Sequence, residues 1–332
     1  MKNLGYVFRR LFDMDYGAML KKINMLHKKT GRSRLWILRD MQRCAVNYGA
    51  GYMDYDLYEM YNLTAEQRDT YLTRGRMNEL VRKYNDQTKI YVFDSKAEFN
   101  VRFEAYLNRD WVDVTEENRE KVMAFLQKHE RYMVKPVSGS CGKGVELWKR
   151  EDFASIQEAY DKLYAMEGHM ILEQLIVQHP AVSAVYPHAI NTVRTLTITK
   201  DGVAHIVATC WRIGNNGKHV DNFYNGGMVV PVDEKTGKVT QRAMDKEKII
   251  YPVHPYTGNA IEGFQFPDWD KAMDMVKRAA TEVPGVGFVG WDVAFGEDGP
   301  CLVEGNDFPS HGLYQLPEHT PDKIGIMPRF NV

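Results

Sequence analysis

Up to residue 85 the apolar positions recur three and four apart, as amphipathic helices require. Leu4, Val7, Phe8, Leu11 and Phe12 form one such run, and Met19, Ile23 and Leu26 another. Tyrosines at 48, 52, 55, 58, 61 and 71 stud the second half of this stretch. Thr64 followed by Gln67 predicts a capped helix start. Residues 89–93, Lys-Ile-Tyr-Val-Phe, predict a short strand. A helix carrying Phe99, Phe103 and Tyr106 follows, then a second over 116–129 with Thr115 as its cap and Val122, Phe125 and Leu126 on one face. Beyond residue 131 alternation with a period of two takes over, which predicts strands. Strands flank a glycine-rich loop at 132–148, and another strand at 170–176 exits through Glu173-Gln174. Residues 191–199 and 203–212 form a hairpin around Asp201-Gly202, and 229–239 another around 234–237. A helix over 269–282 stops at Pro284-Gly285. The chain reads as α+β, with an all-α N-terminal part.

Candidate chemistry is concentrated near the end. Residues 290–296 and 300–306 alternate around Glu297-Asp298-Gly299, and a three-residue loop with Gly299 at positive φ makes Gly296 face Pro300 and Asp292 face Glu304. Glu304 and Asn306 then point to the same side, joined there by Asp292. Directly opposed Cβ atoms lie roughly 4.5–5.5 Å apart, so two carboxylates repel there unless positive charge intervenes. Hard oxygen ligands suit a divalent cation. An ordinary hairpin with a polar, wet face is the bland alternative. The apolar flanks Trp291, Val293, Phe295, Leu302 and Val303 favour the metal site, because unpaired acids in a buried strand pair are expensive.

The loop Ser138-Gly139-Ser140-Cys141-Gly142-Lys143-Gly144, with Lys135 before it, can converge backbone N–H groups and ammonium charge on phosphate oxygens. It is not a Walker A loop, which needs four residues between its first glycine and Gly-Lys-Ser/Thr. A ligand-free glycine hairpin turn fits it equally. Glu173 could accept from a purine amine, or be an acid at a strand end. Arg194 is either a surface arginine or an anion clamp, which the bidentate guanidinium suits. A two-residue turn at Asp201-Gly202 puts Arg212 on the opposite face. Asp221-Asn222 followed by Gly226-Gly227 suggests close backbone approach to a ligand.

The 332 residues carry a net charge of −1, which gives no reason to expect nucleic acid as a partner. The first 45 differ, with 11 Lys and Arg against 3 Asp. A basic amphipathic helix can lie on an anionic membrane or dock on a partner; the expectation here is a helix packed on its own core with its basic face in water. Cys44, Cys141, Cys210 and Cys301 show no metal or redox spacing, and the histidines no paired ligand spacing. With neither a membrane-spanning run nor a signal-peptide core at the start, a cytoplasmic protein with reduced thiols is expected.

Lys135, the lysine-flanked glycine loop, the Glu173-Gln174 exit, the Arg194 strand, Asp292 and Glu304-x-Asn306 occur in an order that resembles the ATP-grasp superfamily over roughly residues 89–310. Within it the chain looks closest to the sugar-transfer-associated and teichuronopeptide-type proteins of bacterial envelope polysaccharide gene clusters. The resemblance implies two α+β lobes clasping ATP behind a helical N-terminal domain. Its divisions are 1–86 helical, 87–130 linker helices and pre-grasp segment, 131–176 small lobe with glycine-rich lid, and 177–332 large lobe with the Mg²⁺ site. It further implies that Lys135, Ser138, Gly139, Ser140, Gly142, Lys143 and Gly144 meet the ATP phosphates. Glu173, Gln174, Leu175 and Ile176 would form the adenine hinge. Asp292, Glu304 and Asn306 would hold one or two Mg²⁺ ions, with Mn²⁺ a substitute. Arg194, Arg212 and Lys143 would act catalytically, and Asn191, Arg194, Asn222, Gly226 and Gly227 would meet substrate. Asp94 and Lys96 stand where the family often carries an Asp-Lys pair, with Ser95 intervening here. Gln178 and His179 stand where a ribose-binding residue would be sought. The implied activity is ATP-dependent ligation of a small, sugar- or amino-acid-linked carboxylate to an amine through an acyl phosphate. A phosphotransferase or a non-catalytic nucleotide-binding scaffold on the same fold are the alternatives.

Overall fold

The computed structural model describes residues 15–139 and 143–332. The run at 4–12 and the loop residues Ser140, Cys141 and Gly142 lie outside them.

The helical region is built from locally well-specified pieces. Helix Tyr16–Thr30 is capped by the Asp15 carboxylate accepting from the Ala18 N–H, and helix Arg34–Tyr48 by Ser33 accepting from Trp36. Both end in a left-handed glycine, Gly31 and Gly49. The capping box predicted from Thr64 and Gln67 is present at helix Ala65–Asp69. Leu26, Ile37, Cys44, Tyr55, Tyr58 and Met60 share one core, so the tyrosines are packing residues.

Eleven strands, among the described residues, form two antiparallel sheets. In the first, β1 (Trp111–Asp113), β2 (Arg131–Pro136), β3 (Glu146–Lys149) and β4 (Met170–Gln174) run in the order β1-β4-β2-β3. Helices Arg119–Lys128 and Ile156–Tyr164 bury Val122, Leu126, Ala159 and Leu163 against it. The second comprises β5 (Val193–Lys200), β6 (Val203–Ile213), β7 (Met228–Pro231), β8 (Ala243–Asp245), β9 (Ile250–Tyr251), β10 (Phe288–Gly296) and β11 (Gly299–Asn306), in the order β11-β10-β5-β6-β7-β8-β9.

Alternation gives the second sheet two different faces. Trp291, Val293 and Phe295 join the core of helix Trp269–Ala279, where Phe295 stacks on Trp269. Leu196, Ile198 and Phe288 point the other way, onto Met77 and Val81 of helix Arg74–Tyr84 and onto the C-terminal tail. Polar ties seat the helical region there. The Asn85 amide donates to the Phe288 and Asp307 carbonyls at 2.8 and 2.7 Å, and the Gln315 amide donates to Leu72 at 2.6 Å while accepting from its N–H.

Some expectations are corrected. Residues 89–93 are not a strand: Tyr91–Asp94 is a helical turn, with the Asp94 and Ser95 N–H groups bonding four residues back. The β-rich composition is overridden by packing of Phe93 against Phe99, Phe103 and Trp291. The helix expected from residue 116 begins at Arg119, and Thr115 instead accepts a turn bond from Asn118. The turn at 233–238 closes, but β7 pairs with β6 and β8 and makes no ladder with 236–239.

His319, on the tail, is buried; its Nε2 donates to the Arg242 carbonyl at 3.0 Å and its Nδ1 has no partner among the described residues. Burial lowers its pKa from 6.5 to about 4. The unfolded chain therefore takes up a proton below pH 6.5 that the folded chain refuses until about pH 4. Stability is full above pH 6.5 and falls by about 3 kcal/mol towards pH 4 from this group alone. We expect denaturant titrations at pH 7 and pH 4.5 to show that loss, and the H319N variant to show a flatter dependence whatever its stability at pH 7.

Candidate active site

Two bulges decide which side chains share a face. Between β5 and β6 the register slips by one beyond Leu196, leaving Val207 as the extra residue. A uniform hairpin would set Arg212 opposite residue 191. The bulge sets it opposite Thr192, whose carbonyl accepts from the Arg212 N–H at 2.9 Å. Arg212 is thus corrected onto the same face as Arg194. Between β10 and β11 the turn has two residues, so Gly296 pairs with Gly299, not Pro300. That turn alone would put Asp292 opposite Val303, and a bulge at Asp292/Val293 restores the pair with Glu304. The expected partner is reached by a shorter turn plus a bulge.

Asp292 lies between the arginines and is 1% exposed. Arg194 grips it with Nε on Oδ1 and Nη2 on Oδ2, and Arg212 Nη2 donates to Oδ2 at 2.8 Å. Burial raises the Asp292 carboxyl, but the two guanidinium charges outweigh that and hold it at about 2. Asp221 accepts from the Thr192 N–H and hydroxyl at 3.0 and 2.6 Å and faces Arg212 Nε at 3.3 Å. The positive charge anticipated between the opposed acids is therefore supplied at Asp292 by the protein itself.

Glu304 and Asn306 open to the cleft on the other side of Asp292. The Asn306 amide donates to Glu304 Oε1 at 3.3 Å, which leaves its own oxygen available. Solvent reaches Glu304, while the surrounding protein and then the Asp292 charge raise its carboxyl above the usual range. Gly305, between them, has an aromatic floor: a Cβ there would stand 2.9 Å from the Phe93 ring and 3.0 Å from Phe99. Among the described residues no group of three or more His, Cys, Asp or Glu gathers as a metal cluster. The two acids and the amide nevertheless fit a hard cation, since a carboxylate has about four lone-pair directions and Asp292 has some unused.

The first sheet brings a second charged group to the same cleft. Glu173 is buried and accepts four bonds: from Lys135 Nζ at 2.6 Å, the Asn100 amide at 2.8 Å, and Arg109 Nε and Nη2 at 3.2 and 3.4 Å. Burial raises its carboxyl, but Lys135, Arg109 and Asn100 hold it well below the carboxylate range. Its oxygens are thus filled, which corrects the expectation that Glu173 reads a purine amine. Arg109 also donates to the Leu302 carbonyl at 2.6 Å, riveting β4 to β11. The backbone groups of Leu175 and Ile176 have no hydrogen bond among the described residues. Lys96 reaches Gly139 O at 3.0 Å. Burial lowers its pKa, Glu304 draws it back up and Lys135 lowers it further, so Lys96 senses both lobes. From sequence, Lys96 is raised only through the family's Asp-Lys spacing and given no role, and nothing local points to Arg109.

Other candidates are placed elsewhere. Asn191 is fully buried; its amide donates to the Tyr186 carbonyl at 2.7 Å and accepts from Gly214, so it props the entry to β5 and offers no surface to substrate. Asn222 caps a turn by accepting from Tyr224 and Asn225. The close approach at Gly227 is to the chain's own Asp221 carbonyl, 2.6 Å from where a Cβ would sit, and Gly226 is simply a left-handed turn residue. Gln178 accepts from the Asn191 N–H, and His179 caps helix Pro180–Val185, which takes both away from a ribose role. Gly139 and Gly144 adopt positive φ, Ser138 and Lys143 are exposed, and Ser140 and Gly142 lie outside the described residues.

A family model described as sugar-transfer associated ATP-grasp matches residues 75–329. The chain belongs to that family. This ATP-grasp chain is similar to the D-alanyl-alanine synthetase A of Vibrio cholerae (14% identity, 72% of this chain and 58% of that one, TM-score 0.40). It is also similar to the ATP-grasp ligase PsnB complexed with minimal precursor (14%, 75% and 63%, TM-score 0.42). A third is the N5-carboxyaminoimidazole synthase of Aspergillus clavatus with ADP and 5-aminoimidazole ribonucleotide (12%, 70% and 50%, TM-score 0.42). The chain thus spans between half and two thirds of the length of each. No curated protein matches it. The α+β ATP-grasp fold behind a helical N-terminal region is as expected.

In this ATP-grasp site, D292N leaves two buried guanidiniums against a neutral amide. We expect a loss of about 3–5 kcal/mol, read by denaturant unfolding; a loss below 1 kcal/mol would show the pair to be dispensable. G305A forces the Phe93 ring aside, costing about 1–3 kcal/mol, read by the same denaturant unfolding.

Proposed function

We propose that the chain is an ATP-dependent carboxylate–amine ligase that works through an acyl phosphate and releases ADP and phosphate. The substrates we assign are a sugar- or amino-acid-linked carboxylate and an amine, in cytoplasmic steps of bacterial envelope polysaccharide biosynthesis. What carries this reading is one convergence: Lys96, on helix Lys96–Arg102, lies within electrostatic reach of both Lys135 of the first sheet and Glu304 of the second, and Glu304 stands beside Asp292 and its two arginines, in a chain of the ATP-grasp family.

The roles follow from charge and access. The unpaired backbone of Leu175 and Ile176, beyond Gln174, offers an edge to adenine, while Glu173 keeps Lys135 aimed at the phosphates. Lys96 and Lys143 flank the glycine loop and supply further positive charge. Glu304, Asn306 and the spare lone pairs of Asp292 would hold Mg²⁺ or Mn²⁺, one ion or two; bound there, the cation would neutralise phosphate oxygens and stabilise charge in the transfer. Lys135, Arg194 and Arg212 lessen the repulsion as a substrate carboxylate oxygen attacks the γ-phosphorus. The bond from that phosphorus to the ADP oxygen breaks. The amine then attacks the acyl carbon, phosphate departs with the C–O bond electrons, and the amine's proton passes to solvent.

The test is ADP release from ATP and Mg²⁺ across a panel of uronic acids and amino acids, with hydroxylamine as a trap. An acyl phosphate yields a hydroxamate, and K96A or K135A should lower its formation by roughly 100-fold or more. A phosphorylated product with no hydroxamate would make the chain a phosphotransferase and end the ligase proposal.

A further inference from the structure

The basic N-terminal stretch has no part in that chemistry. Helices Tyr16–Thr30 and Arg34–Tyr48 bury Ile23, Leu26, Ile37, Met41 and Cys44, so their inner faces are satisfied. Their outer faces are unusual for water: Leu20 is 56% exposed, Leu35 55% and Trp36 40%, with Met25 also exposed. Residues 15–48 hold eight Lys and Arg against two Asp, whereas the whole chain is −1. The inward cations are used. Lys22 pairs with Asp56 and Lys29 with Glu59, both at 2.6 Å, and Arg32 donates to the Tyr61 carbonyl. The outward ones, Lys21, Lys28, Arg39 and Arg43, have no ion pair among the described residues. Asp40, the acid nearest Arg39 and Arg43, is already gripped by both Arg68 nitrogens.

Arg39 and Arg43 lie one turn apart and, with Ser33, Leu35, Trp36 and the Arg68-paired Asp40, line a hollow of about 310 Å³. The Arg32 guanidinium lies 4.1 Å from the Trp36 ring, which adds positive charge at its rim. A cationic hollow edged by a tryptophan and a leucine fits an anionic headgroup with its acyl boundary: phosphate meets the guanidiniums, and the apolar side chains enter the interface. Among the described residues no helix is long and apolar enough to cross a membrane, so a surface attachment is what these helices can make.

We infer that the outer face of helices Tyr16–Thr30 and Arg34–Tyr48 docks the protein on a bilayer rich in anionic phospholipid. Charge complementarity selects this occupant: four cations with no ion pair among the described residues, interleaved with exposed apolar residues, suit a diffuse anionic plane, which needs no matching side-chain geometry. The expectation from sequence is a basic face simply solvated; the docking reading departs from it because leucine and tryptophan are exposed there as well.

Flotation of the full chain with phosphatidylglycerol/phosphatidylcholine vesicles tests this without any reference to catalysis. Binding is expected to the mixed vesicles and not to pure phosphatidylcholine, falling steeply between 50 and about 500 mM salt as the charges are screened. R39A/R43A should lower the partition coefficient on the order of 25-fold, and L35S/W36S should weaken binding at unchanged charge. Unchanged thermal melting of these surface variants separates docking from folding, and the wild-type salt titration stands if one of them fails to fold. Equal binding to both vesicle types, no binding to either, or R39A/R43A behaving as wild type would overturn the inference. So would an RNA duplex that binds with the R39A/R43A dependence while vesicles do not.

Discussion

A buried carboxylate cannot stand next to a second one without compensation, and the site is arranged around that constraint. Asp292 sits on the inner face of the larger sheet directly across from Glu304. Two guanidiniums from neighbouring strands close on it. Because the pairing is bidentate on one side and shared on the other, Arg194, Arg212 and Thr192 are fixed relative to β10, and Asp221 is drawn in behind them. The cleft thus has a rigid positive wall with one acid, Glu304, left facing solvent.

A similar arrangement holds the smaller lobe. Glu173 gathers Lys135, Arg109 and Asn100, and Arg109 reaches across to the Leu302 carbonyl. Each sheet therefore carries a buried carboxylate held by cationic side chains, Asp292 by two arginines and Glu173 by Lys135 and Arg109. Buried ion pairs of this kind add little net stability over an apolar core, but removing one partner is costly. Their value here is orientation.

The helical region belongs to the same machine. Asn85, Gln315 and the Asp54–His311 contact at 2.7 Å tie it to the strand ends and to the segment after Asn306, so it braces the loop beside the site. Its inner face is core and its outer face is cationic and partly apolar.

The sequence alone determined what depends on local pattern and residue chemistry: the helical start, the strands, the Asp292–Glu304 partnership, and the family order of lysines, arginine and acids. Period and hydrophobicity are local, and a carboxylate or guanidinium declares its chemistry by type. Tertiary structure decided what depends on register and on partners. One extra residue in β6 turned Arg212 to the active face, and a shorter turn plus a bulge produced a pairing that a longer loop had been expected to give. Glu173 and Asn191 looked like ligand contacts because they are polar and well placed; only packing showed their hydrogen-bonding capacity already spent on the protein. A strand's side-chain period is two, so a single bulge reverses every later side chain, and no composition or spacing signals where it falls.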